Sequence, residues 1–223
     1  MGAVTTRAVV FDWRGTLGAL PPITSWAGEA LRRVGRAHDD PAASAVLQAI
    51  RTAAGQPNRL NGPDIDTNVE LHRQTYFSVF ADAGLDAELA NSLYAVESDP
   101  THNPFADDVT PTFTVLAENG CKIGVLSDIH FDLRPAFADA GLLSLVDTFV
   151  LSYEHGVQKP DLAIFRLALN QLEAQPENTL MVGDRASHDG AAVDLGIPTL
   201  LVPTLTDPRQ RRLHLVTGIA TAQ

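Results

Sequence analysis

Four consecutive apolar residues, Ala8-Val9-Val10-Phe11, run directly into Asp12-Trp13-Arg14-Gly15-Thr16-Leu17. An apolar run this short, closed by a charge and a glycine, predicts a strand buried on both faces that stops in a tight loop. Asp12 is then the first side chain past the end of a core strand, and in open α/β sheets that edge is where ligands bind. Similar runs at 122–126, 148–152, 179–182 and 199–202 predict four further strands, with helical patterns between them. Strands alternating with helices at such spacings call for parallel βαβ units. The expected fold is therefore α/β, a doubly wound, Rossmann-like parallel sheet of five strands.

Residues 18–99 interrupt that alternation. Helices are expected over about 24–37, 42–54, 66–83 and 86–98, separated by Pro41, Gly55 and Gly84. Tyr76, Phe77 and Phe80 fall on one face of the third and read as its core stripe. The expected division is a core of residues 1–17 and 100–223 with a helical insertion of residues 18–99. The stretch from Pro203 to Gln223 reads as the most loosely attached part, with Leu213, Leu215, Val216 and Ile219 able to pack a last helical turn.

A net charge of −11 argues against nucleic acid or an anionic membrane as partner, since either needs a clustered basic surface. No apolar run approaches the roughly 20 residues of a membrane span, and 8–11 is too short for a secretory signal. A cytoplasmic protein is the expectation. Cys121 is the single cysteine and is expected to be buried and inert.

Three further segments follow predicted strands: Ser127 in Val125-Leu126-Ser127-Asp128, Lys159 in Gln158-Lys159-Pro160-Asp161, and Gly183-Asp184 followed by Asp189. Lys122 and Lys159 are the only lysines in the chain, which argues against Lys159 as surface decoration. In order and spacing these segments, with Asp12 before them, resemble the four motifs of the haloacid dehalogenase-like (HAD) superfamily. The resemblance covers the chain outside the helical insertion, and the insertion resembles the helical cap of one branch.

The resemblance implies Asp12 as nucleophile, Ser127 and Lys159 as phosphate-binding groups, with Lys159 also catalytic, and Mg²⁺ held by Asp12, Asp184, Asp189 and the backbone carbonyl of Arg14. Three carboxylates at neighbouring strand ends repel one another unless a hard cation sits among them. The implied activity is a Mg²⁺-dependent phosphatase acting on a small phosphorylated, or otherwise anionic, substrate through an aspartyl-phosphate. Arg14 departs from the pattern, which has a proton-transferring acid there. A guanidinium cannot be deprotonated in a protein, so Arg14 is expected to contact substrate or a carboxylate. His130, His155 and His188 lie in loops beside the motifs and read mainly as solvated histidines, with a smaller chance of supplying the acid. Two alternatives stand: a phosphate-binding or protein-interaction module in which Arg14 pairs with Asp12 or Asp184, and a dehalogenase-type hydrolase, which the acids at 184 and 189 disfavour. A Schiff-base phosphonatase is excluded because residues 18–99 contain no lysine.

Overall fold

Ala8–Phe11 forms β1, with all four residues buried, as a strand covered on both faces requires. The computed structural model describes residues 6–220; positions 1–5 and 221–223 of the expected core segments lie outside the described residues. β1 is the middle strand of the sheet, paired with β2 (Lys122–Ser127) on one side and β4 (Thr179–Gly183) on the other. With β3 (Thr148–Leu151) and β5 (Thr199–Leu201) the order is β3-β2-β1-β4-β5, every pair parallel. Phe11 pairs with both Val125 and Val182. One or two residues further on, Asp12, Ser127 and Asp184 all leave the sheet at the same edge.

Four helices follow β1 before the chain returns to the sheet: α1 (Ile23–Arg33), α2 (Asp40–Ala54), α3 (Val69–Asp82) and α4 (Ala87–Glu97). The chain then enters the sheet through α5 (Val109–Glu118). α6 (Arg134–Asp139) lies between β2 and β3, and the single turn α7 (Ser152–His155) with α8 (Leu162–Leu172) between β3 and β4. A 3₁₀ segment, Asp189–Leu195, connects β4 to β5 where a helix was expected, and α9 (His214–Ala220) closes the described chain. No helix among the described residues is long and apolar enough to cross a membrane.

Alternation along the strands divides the core. Val9, Phe11, Ile123, Val125 and Val182 pack beneath Phe113 of α5, Phe137 of α6 and Val216 of α9. Ala8, Val10, Leu126 and Met181 face the other way, onto Ile164, Phe165 and Leu172 of α8. Each such large side chain removed from water contributes about 1.5–3 kcal/mol. A third cluster belongs to α1–α4 alone, with Ala27, Leu31, Ile50, Phe80 and Leu93 inside. That helical layer therefore has a core of its own.

Capping corrects one expected boundary. The Asn68 side chain accepts the N–H groups of Glu70 and Leu71, so α3 starts at Val69. Asp66 falls in a preceding 3₁₀ turn, Ile65–Thr67, outside the helix.

The segment after Pro203 is not loosely attached, contrary to expectation. Arg212 is buried and donates to the carbonyls of Gly15, Thr16 and Pro203. The Asp108 carboxylate accepts the N–H groups of Arg212 and Leu213 at 2.6 and 2.8 Å. Leu213 and Val216 pack into the core, whereas Leu215 and Ile219 remain exposed.

Candidate active site

Asp12 follows β1 and is buried. Its Oδ1 accepts from Lys159 Nζ at 2.6 Å and its Oδ2 from Thr16 Oγ1 at 3.2 Å. Lys159 Nζ also donates to Asp189 Oδ1 at 2.6 Å, and the lysine, in the loop before α8, is wholly buried. Its backbone N–H is held by Asp128 Oδ1 at 2.9 Å. Asp189 Oδ2 accepts the Arg185 N–H at 2.9 Å, and Asp184 Oδ2 accepts from Thr204 Oγ1 at 2.7 Å. Carboxylate oxygens of Asp12, Asp184 and Asp189 all lie within 4.8 Å of one another. The structure thus brings together Asp12, Lys159, Asp184 and Asp189, with Ser127 buried on the adjoining strand end.

Two glycines make room for these acids. Gly15 has φ of +83°, and a Cβ there would lie 2.5 Å from Asp184 Oδ2. A Cβ on Gly183 would overlap the Asp189 carboxyl. Both the loop after β1 and the end of β4 therefore need residues without a side chain where the carboxylates pass.

The electrostatics are strained toward positive charge. Burial pushes the Asp12 carboxyl above the ordinary carboxylate range; Lys159 pulls it back, and Asp189 and Asp184 push it further up. Burial opposes the charge on Lys159, but Asp12 and Asp189 outweigh it and hold the amine above its usual range. Three carboxylates against one ammonium leave an excess of negative charge. Oxygen donors with surplus negative charge in a water-poor site suit a hard divalent cation such as Mg²⁺.

Among the described residues a second group of ligand type, Asp66, His72 and His130, also lies within 4.8 Å. Its histidine rings stack face to face, 3.5 Å apart and 13° from parallel. Their in-plane lone pairs run side by side and do not converge on one ion, so the donor geometry fits a metal only at the acidic trio. His130 is buried, against the solvated-loop expectation, because His72 of α3 covers one face of its ring and Ser98 Oγ lies 2.9 Å from its Nε2. Burial, then His72 and Arg14, push it down to about 2, and burial with Arg14 pushes His72 down to about 3. Neutral imidazoles of this kind donate no proton near neutrality. His188 lies 2.9 Å from Ser187 Oγ, and burial lowers its proton affinity. His155 Nε2 is buried without a partner among the described residues.

Arg14 turns away from the acids. Its Nη1 donates to Glu97 Oε1 at 2.5 Å and its Nη2 to the Glu97 carbonyl at 2.7 Å, so the alternative in which it pairs with Asp12 or Asp184 is not what the structure shows. Burial opposes its charge and Glu97 more than compensates, raising its proton affinity. The pair joins the loop after β1 to the end of α4. It also borders a cavity of about 590 Å³ walled by Trp26, Leu60, Tyr76 and Val96. Trp13, by contrast, is fully buried and packs edge-on to Phe131.

Residues 6–195 match the haloacid dehalogenase-like hydrolase family. The chain belongs to it. Glyceraldehyde 3-phosphate phosphatase of Methanothermobacter thermautotrophicus is 32% identical over 101 residues, 44% of each chain. Bifunctional epoxide hydrolase 2 of Sus scrofa is 31% identical over 106 residues, 48% of this chain and 17% of the relative. These matches span less than half the length of either relative. Among solved structures, the putative HAD-hydrolase YfnB from Bacillus subtilis superposes with a TM-score of 0.69 at 15% identity, covering 98% of this chain and 100% of that one. A 2-haloacid dehalogenase from Pseudomonas syringae gives 0.61 at 23% identity, covering 88% and 86%.

Several residues of this HAD-like hydrolase that touch the site escaped the sequence reading. Asp128 was quoted only as the neighbour of Ser127, yet it positions the Lys159 backbone. Thr16, quoted only as part of the stretch after β1, and Thr204, which no pattern marks, orient Asp12 and Asp184 through their hydroxyls. Glu97 meets Arg14 across 83 residues, a separation at which no local signal exists.

Proposed function

We propose that this hydrolase is a Mg²⁺-dependent phosphatase acting on a small phosphorylated substrate, with residues 18–99 forming a helical cap over the core. The observation that carries the reading is the convergence of Asp12, Asp184 and Asp189 with the Lys159 amine bridging two of them. The names of the phosphatase relatives support it.

Asp12, Asp184, Asp189 and the Arg14 carbonyl would hold the cation. When bound, Mg²⁺ would supply charge neutralisation for a phosphoryl group approaching an acidic edge. Asp12 Oδ attacks phosphorus and forms an aspartyl-phosphate. Lys159 and the Ser127 hydroxyl offer donors to the phosphoryl oxygens, where negative charge concentrates as the P–O bond breaks. Lys159 also pulls the Asp12 carboxyl back toward ionisation against the larger effect of burial. Thr16 fixes the carboxylate through its second oxygen. The helical layer excludes water from the edge, so that these charges act at low dielectric.

Hydrolysis of 4-nitrophenyl phosphate, measured with Mg²⁺ and with EDTA, tests the reading. Turnover that requires Mg²⁺ and disappears in Asp12→Asn is the expected result. Turnover indifferent to both, or halide release from a 2-haloacid in its place, overturns it.

A further inference from the structure

The phosphatase reading leaves one proton unaccounted for. An alkoxide leaving group needs an acid, and the residue two places after the nucleophile is Arg14, whose guanidinium exchanges no proton and is committed to Glu97. The buried histidines are neutral and unable to donate. We propose that Asp66, carried by the helical layer, is the proton donor and acceptor of the reaction; the inference rests on the phosphatase reading.

Asp66 belongs to the layer by sequence but is docked onto the carboxyl edge of the sheet by its backbone. Its N–H donates to Gln158 Oε1 at 2.9 Å, one residue from Lys159, and its carbonyl accepts from Ser152 Oγ at 2.6 Å. That same Ser152 oxygen accepts the Ile129 N–H at 2.9 Å. The turn holding Asp66 is thus tied to the loops after β2 and β3 and to the lysine loop. With the backbone making the attachment, the side chain is left free for chemistry. Among the described residues no hydrogen bond reaches its carboxyl; the nearest basic nitrogen is that of the neutral His72, Nε2 at 3.8 Å.

The charged groups facing that carboxyl come from every element around it: Asp128 after β2, Arg14 after β1, Glu97 at the end of α4 and Arg185 after β4. His72 on α3 lies beside it, with His130 stacked behind. Asp128 and Arg185 follow the two strands that flank β1. A carboxyl that feels both of these, and Arg14 after β1 as well, faces the carboxyl edge of the sheet that carries Asp12. Burial and the Asp128 charge push Asp66 up to about 6, against the pull of Arg14 and Arg185. An acid in that range is protonated often enough to donate near neutrality and ionised often enough to accept.

The step balances. Asp12 Oδ bonds to phosphorus as the P–O bond to the leaving group breaks, and the departing oxygen takes the Asp66 proton to give the alcohol. Water then attacks phosphorus, its proton returns to Asp66, and the Asp12–phosphorus bond breaks to release phosphate.

The test compares Asp66→Asn with the parent on propyl phosphate and 4-nitrophenyl phosphate in Mg²⁺, with circular dichroism to establish that the variant is folded. kcat/KM reports the steps through leaving-group departure, and nitrophenolate departs without a proton. For Asp66→Asn, kcat/KM on the alkyl ester falls by about 10² to 10⁴ and on the aryl ester by less than tenfold. The alkaline limb of the parent's alkyl profile, beginning near pH 6, vanishes in the variant. Equal losses on both esters, or no loss on either, overturn the inference alone. A parent inactive on both esters overturns the phosphatase reading and this inference with it.

Discussion

Replacing His130 with Gln tests whether the contact between the helical layer and the sheet is built around neutral imidazoles. His130 is 3% exposed, stacked on His72, and within 2.9 Å of Ser98 Oγ. Burial and two neighbouring groups that resist further positive charge push it down to about 2, against about 6.5 in an unfolded chain. Below pH 6.5 the unfolded chain takes up a proton that the fold refuses. The stability associated with a neutral His130 is therefore fully present above pH 6.5 and declines as pH falls toward the folded value. The slope is about 1.4 kcal/mol per pH unit, or about 2 kcal/mol between pH 7.5 and 5.0. His130→Gln abolishes that dependence while keeping an amide within reach of Ser98. Urea unfolding of parent and variant at pH 7.5, 6.5, 5.5 and 5.0 gives the stability difference directly, and other titrating groups common to both chains cancel to first order. The cost of the substitution shrinks by about 2 kcal/mol across that range. A difference that stays constant refutes the buried neutral histidine.

Two further substitutions probe the edge itself. Gly183→Ala puts a methyl where the Asp189 carboxyl lies; overpacking of this kind costs about 1–3 kcal/mol, and turnover of 4-nitrophenyl phosphate falls at least tenfold, with a melting temperature unchanged and turnover intact being the contrary result. Arg14→Ala removes two charge-assisted bonds to Glu97 and destabilises the chain by about 2–3 kcal/mol; in a double-mutant cycle with Glu97→Gln the two costs are non-additive, whereas simple additivity shows that the pair is idle.

The sheet was legible because its signal is local. β1, β2 and β4 each bury both faces, so their apolar runs are continuous and end where a polar site residue begins. Asp12 and Asp184 could be read the same way, each a charge set directly beyond a strand, whereas Lys159 and Asp189 were found through the order and spacing of the motifs they resemble. What escaped was whatever depends on distance along the chain. Asp66 was read as the start of a helix, since nothing nearby reveals that Asn68 takes the cap and leaves the preceding turn free to dock on the sheet. His130 was read as solvated because its cover, His72, lies on a helix far back in the chain. The segment after Pro203 looked detached because its anchor is one arginine reaching carbonyls of residues 15 and 16.

That arginine has a consequence for how the molecule comes into being. The loop behind the nucleophile leaves a ribosome well before its fastening does, since Arg212 lies 196 residues after the Thr16 carbonyl that it holds. β1 likewise waits for partners at positions 122–125 and 179–182. Until that arginine is made the future reactive edge is an unclosed strand end, so the growing polypeptide acquires a finished acidic pocket only once both flanking strands and residue 212 have emerged.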